Sequence, residues 1–216
     1  EFRSVIPVSS LPELAMPQLS ANLASLVGSR LCHDLISPIG AIQNGLELIA
    51  LSGQNDTSPE MALIQDSCES AAARIRFFRV AFGGASKLHM MGQREVVSTL
   101  SALGKGGRLQ FEWIPQEDLP RTEVQLAYLA YLCCESALPY GGTIRFDRDA
   151  AGWTISAKGT RFAINQQLWD HLNGSVPLDE PAADRVHFAM LPILAEDHGH
   201  KLFTTLRDET ITIKIA

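Results

Sequence analysis

The chain has 216 residues, 46% hydrophobic and 19% charged, enough for one large domain or two small ones with real cores. Its formal charge of -6 argues against nucleic acid as a partner, because phosphates call for a basic surface. No run of about 18 apolar residues and no signal-peptide pattern is present, so the expectation is a cytoplasmic protein without a membrane partner.

Residues 1–17 carry three prolines and no periodicity, and read as an extended leader. A helix is expected from about Ser20 to Ala50, bent at Pro38. At about 100° per residue, Leu31, Leu35, Pro38, Ile39, Ile42, Leu46 and Ile49 share one face. His33 falls on the other side, with Arg30, Ser37, Gly40, Ala41 and Asn44 in the same outward stripe, so this histidine should face solvent.

Leu51 to Thr57 is a short polar connector, and Ser58-Pro59-Glu60 supplies an N-cap, a proline at the first helical position and an early acid. The second helix should run from Pro59 to Phe82, with Met61, Ile64, Cys68, Ala71, Ile75, Phe78 and Phe82 at helical spacing, and stop at Gly83-Gly84. So short a link makes the two helices an antiparallel hairpin. One hairpin cannot cover both apolar faces, which predicts a homodimer closed as a four-helix bundle.

The pattern then changes. Arg94–Leu103 reads as a helix, Arg108–Ile114 as a strand, Glu123–Leu138 as a helix, and Thr143–Arg148 with Trp153–Ala157 as a hairpin. Asn165–Leu172 is a short helix and Ala183–Asp197 a longer one, and Lys201–Leu206 with Thr210–Ile215 closes the chain as a second hairpin. The fold class is therefore α+β: after the leader, a helical hairpin over 18–86, followed by a two-layer α/β sandwich over 87–216.

The four cysteines, Cys32, Cys68, Cys133 and Cys134, lack CxxC spacing and sit in apolar helical stretches, which predicts buried free thiols and no zinc or disulfide. His198 and His200 flank Gly199 at a helix-to-strand junction and read as turn histidines, so no metal site is expected.

His33-Asp34-Leu35-Ile36-Ser37-Pro38 resembles the H-box of two-component histidine kinases: a phosphorylatable His, an acid, and a Pro five residues on. The longer stretch Arg30–Leu48, continued by Ser136-Ala137-Leu138-Pro139-Tyr140-Gly141-Gly142, is similar to the alphaproteobacterial histidine phosphotransferases of the ChpT type. That resemblance implies a dimeric phosphorelay intermediate with His33 and Asp34 as catalytic residues. His33 would accept phosphoryl from a receiver-domain aspartate of a hybrid histidine kinase and pass it to response-regulator receivers.

Arg30, Ile36, Ser37, Gly40, Ala41 and Asn44 would form the receiver-docking surface. The small residues leave room for a receiver, and Arg30 balances phosphate charge. No cofactor of its own is implied, the Mg²⁺ belonging to the receiver's acidic pocket.

In the resembling kinases the sandwich binds ATP, and here each nucleotide box is altered. Tyr131–Ala137 lacks the Mg²⁺-holding Asn, and Ala157-Lys158-Gly159-Thr160-Arg161 lacks the adenine-reading Asp. Pro177–Arg185 has no glycine and carries Asp179, Glu180 and Asp184, which would repel a triphosphate. The chain is expected not to bind ATP. A non-catalytic dimeric adaptor for response regulators stays open as an alternative, with an active histidine kinase less favoured.

Overall fold

The computed structural model describes residues 15–52, 59–85, 88–178, 181–207 and 209–216. The leader over 1–14, most of the polar connector with its Ser58 cap, and Asp179 and Glu180 lie outside the described residues.

Helix α1 spans Ala15–Ser52, starting earlier than expected, with Pro17 in its first turn where a missing N–H breaks no bond. Pro38 lies inside it without ending it. Having no N–H, Pro38 releases the carbonyl of Asp34 one turn earlier. Helix α2, Pro59–Ala81, returns against α1. Gly45 permits the close approach, since a Cβ there would stand 2.5 Å from Ile64 Cγ1.

The remaining elements are β1 (Met90–Met91), α3 (Gln93–Gly104), β2 (Leu109–Trp113), β3 (Leu119–Pro120), α4 (Arg121–Ala137), β4 (Gly142–Asp149), β5 (Gly152–Lys158), α5 (Gln166–Leu172), α6 (Val186–Asp197), β6 (Leu202–Arg207) and β7 (Thr210–Ile215). A 3-10 turn, Ala183–Arg185, leads into α6, so the helix expected from Ala183 begins three residues later. Strands β1 and β3 pair with each other and are too short to leave a period in the sequence.

The main sheet has the order β2-β4-β5-β7-β6, with β2 parallel to β4 and the other pairs antiparallel. Its buried face is a ladder in register: Ile144 opposite Ala157 opposite Ile211, and Phe146 opposite Ile155 opposite Ile213. Every second residue of these strands is apolar, so one face packs while the other stays wet.

Helix α4 lies at the centre. Thirteen of its seventeen residues are buried, an all-round burial that a helix on one face of a sheet does not reach. The sheet covers one side and α2 covers another. Phe77 of α2 stacks on Tyr128 with centroids 4.5 Å apart and meets Tyr131 edge-on at 5.2 Å.

The start of α4 also caps the end of α2. Gln125 Nε2 donates to the carbonyls of Ala81 at 3.2 Å and Gly83 at 2.9 Å, and the Arg121 guanidinium donates to the Arg79 carbonyl. On the sheet side, Glu123 takes hydrogen bonds from Trp153 Nε1 at 3.0 Å and Arg148 Nε at 3.4 Å, and His200 Nε2 lies 3.3 Å from its other oxygen.

The cysteine expectation holds for half of the set. Cys133 and Cys134 are buried in α4, and burial raises both thiols, that of Cys134 to about 12. Cys32 and Cys68 are exposed. The reason for Cys68 is that α3 and α4 pack on α2, turning its buried side toward Ser67, Ala73, Phe77, Val80 and Ala81 and leaving Ile75 outside. No helix among the described residues is long and apolar enough to cross a membrane.

Two outcomes follow for stability. Gln125→Leu strands the buried Ala81 carbonyl and the half-buried Gly83 carbonyl and should cost about 1–3 kcal/mol, read as a lower urea midpoint at unchanged m-value. His187 of α6 is buried with neither ring nitrogen hydrogen-bonded among the described residues, and burial, then the charges of Arg30 and Arg185, lower it from 6.5 to about 3. Between those values the unfolded chain binds a proton that the native one refuses. Stability should therefore fall as pH drops below about 6.5, by up to about 1.4 kcal/mol per unit from this group. Urea melts of His187→Leu from pH 7 to pH 5 should show a correspondingly flatter acid limb than the parent.

Candidate functional site

His33 lies on α1 with its side chain 80% exposed, as its place on the helix requires. Asp34 is the next residue, about 100° round the axis, yet its carboxylate bends back so that Oδ1 lies 3.0 Å from His33 Nδ1. A carboxylate only accepts, so the ring nitrogen facing it carries a proton, and in the neutral imidazole the lone pair is then the one on Nε2. The arrangement can therefore present a neutral imidazole as a nucleophile.

The other oxygen of Asp34 belongs to a second contact. Arg30, one turn earlier, brings Nε to 2.8 Å from Oδ2, an ion pair whose N–H direction misses hydrogen-bond alignment. Arg30 then uses Nη1 to donate to the backbone carbonyl of Asp184, 2.9 Å away in the 3-10 turn of the sandwich. Only 15% of the Arg30 side chain and 10% of Asp34 remain exposed.

The outward stripe thus divides. His33, Ile36, Ser37 and Asn44 are exposed, and Gly40 and Ala41 are half-buried. A Cβ on Gly40 would meet nothing within 4 Å, so the surface beside the histidine is open. Arg30, expected on the same stripe, points inward, because a carboxylate and a carbonyl both lie within reach of its guanidinium.

Beneath the site lies a polar layer that periodicity did not single out. Tyr131 Oη donates to Glu135 Oε1 at 2.7 Å. Burial raises the Glu135 carboxyl, against the hydrogen bond from Tyr131 and the positive charges of Arg30 and Arg74, while Asp34 adds to the rise. Glu135 and Tyr131 sit one turn apart on a helix otherwise read as apolar, the only signal the sequence carried for this layer. The Asp184 carbonyl carried none, since a main-chain acceptor leaves no trace in residue type. The Asp184 side chain, expected to repel a nucleotide, pairs with Arg185 Nε at 3.3 Å.

Of the residues in the altered nucleotide boxes, Cys133 and Cys134 are buried in the core. Gly159 is confined by packing, since a Cβ there would collide with Leu138 Cδ2. His200 pairs with Glu123 at the start of β6, and Gly199 beside it takes φ +81, as the turn reading expects. Among the described residues no group of three or more His, Cys, Asp and Glu side chains is placed to hold a metal ion.

The sequence pattern of the histidine phosphotransferase C-terminal domain matches residues 93–210. The protein phosphotransferase ChpT of Brucella abortus (strain 2308) is 31% identical over 189 residues, covering 84% of this chain and 88% of that protein. A solved structure of a bacterial phosphotransferase superposes with a TM-score of 0.74 at 29% identity, covering 96% of this chain and 98% of that one. With an exposed histidine on the first helix of a hairpin and the family's domain over most of the sandwich, the chain belongs to the histidine phosphotransferases of the ChpT type.

Proposed function

We propose that this chain is the phosphohistidine intermediate of a two-component phosphorelay and that His33 carries the phosphoryl group. The observation behind this reading is the exposed imidazole whose Nδ1 faces Asp34 and whose Nε2 is open to solvent. In the proposed step, the Nε2 lone pair attacks the phosphorus of a receiver's aspartyl phosphate in line. The P–O bond to the aspartate breaks and leaves a carboxylate, with the phosphoryl group on Nε2. The reverse step delivers it to the aspartate of a second receiver.

Asp34 holds the proton on Nδ1 and stabilises the positive charge that develops on the ring. Ile36, Ser37, Gly40, Ala41 and Asn44 form the docking surface, with Arg30 beneath its edge. The chain supplies no metal, and Mg²⁺ comes with the receiver.

The sandwich does not bind ATP in this reading. Supporting it are the missing Asn and Asp of the nucleotide boxes and the packing that already accounts for Gly159. One labelling experiment tests both statements. A ³²P-phosphorylated receiver with Mg²⁺ should label the parent chain and leave His33→Ala unlabelled, while radiolabelled ATP with Mg²⁺ should label neither. Label retained in His33→Ala overturns the assignment, and label from ATP makes the chain a kinase.

The hairpin is proposed to close as a homodimer. Ile39, Leu46 and Ile75 are exposed in one copy, Leu46 to 53%, and Val27, Leu31, Leu35, Phe78 and Phe82 line an apolar cleft beside them. A second hairpin would remove this surface from water at about 25 cal/mol per Å² of apolar area. Leu46→Asp should shift the mass seen by sedimentation equilibrium from two chains toward one, whereas a parent chain that sediments as a monomer contradicts the bundle.

A further inference from the structure

Arg30 is a charged side chain that touches both halves of the site. Its Nε lies against Asp34 Oδ2, and its Nη1 reaches the Asp184 carbonyl in the turn before α6. Asp34 in turn uses Oδ1 on His33 Nδ1. A chain of contacts therefore runs from the main chain of the sandwich to the imidazole, through a guanidinium whose planar fork can serve two acceptors at once.

The surroundings keep Arg30 in that position. The α1 helix touches both the 3-10 turn and α6, and Glu135 lies below with its carboxylate within the field of Arg30 and Arg74. On a free helix, an exposed aspartate would sample several rotamers, of which only some face the neighbouring histidine.

We infer that Arg30 is a positioning residue, held by the Asp184 carbonyl of the sandwich, which aims Asp34 at His33 Nδ1 and so keeps Nε2 as the reactive nitrogen. The sandwich then has a task that needs no nucleotide: it completes the support of the nucleophile. This inference rests on the reading of His33 as the phosphoryl carrier. It differs from the docking role in a measurable way, since a docking arginine acts on receiver affinity and a positioning arginine acts on the ring and on the rate.

The test uses the full chain with Arg30→Met and Arg30→Lys. Arg30→Met should lower the maximal transfer rate from a saturating phosphorylated receiver on the order of 10- to 100-fold, with the half-saturating receiver concentration unchanged. Arg30→Lys, which can pair with Asp34 but lacks the fork, should recover part of that rate.

¹⁵N spectra of the unphosphorylated proteins should show the His33 proton on Nδ1 in the parent and shared with Nε2 in Arg30→Met. If Arg30→Met fails to fold, Arg30→Lys carries the same readouts with a smaller change. A raised half-saturation with an unchanged rate and unchanged ring spectrum assigns Arg30 to docking and overturns the inference. So does a parent spectrum without the Nδ1 preference. If the parent shows that preference but takes no label on His33, the phosphorelay reading fails while the Arg30 contact stands.

Discussion

Gln125 and Phe77 join the end of α2 to α4, and the rest of the molecule depends on that junction. A single helical hairpin encloses no core of its own, and its last carbonyls need donors. Gln125 and Arg121 supply the donors, and Phe77 inserts between Tyr128 and Tyr131. The end of the hairpin, with Phe77, Phe78, Val80 and Ala81, is therefore part of the core built around α4.

This junction explains which part of α2 is covered within one copy. Toward the sandwich, α2 is buried by α3 and α4, so Ala73, Phe77, Val80 and Ala81 are covered. Farther along the hairpin Ile39, Leu46, Leu51 and Leu63 are exposed. The site lies between these two regimes, at the level where α1 reaches the turn before α6. There one side of α1 is supported from within, through Arg30, and the other presents His33.

Most of the elements were legible in the sequence. The 3.6-residue pattern gives α1 and α2, alternation gives β4, β5 and β7, and Gly83-Gly84 marks the end of α2, all within a few residues of where they lie. The two short strands β1 and β3 were not legible, because two residues cannot display a period. Cys68 and Ile75 share a helical face with Phe78, the apolar face expected to close against a second hairpin. That face is only partly covered, since covering depends on where the neighbouring helices cross.

For the site, the sequence by itself determined that His33 would be exposed, because the angle between it and Leu35 is fixed by helix geometry once the helix forms. It also determined that an acid and a proline would flank it, and that the nucleotide boxes lack their usual Asn and Asp. The tertiary structure alone decided that Asp34 turns to the ring and that Arg30 turns away from solvent. Arg30 reaches a carbonyl 154 residues later in the chain. A helical wheel fixes the direction in which a side chain leaves its axis; the partners waiting there are set by packing between distant segments.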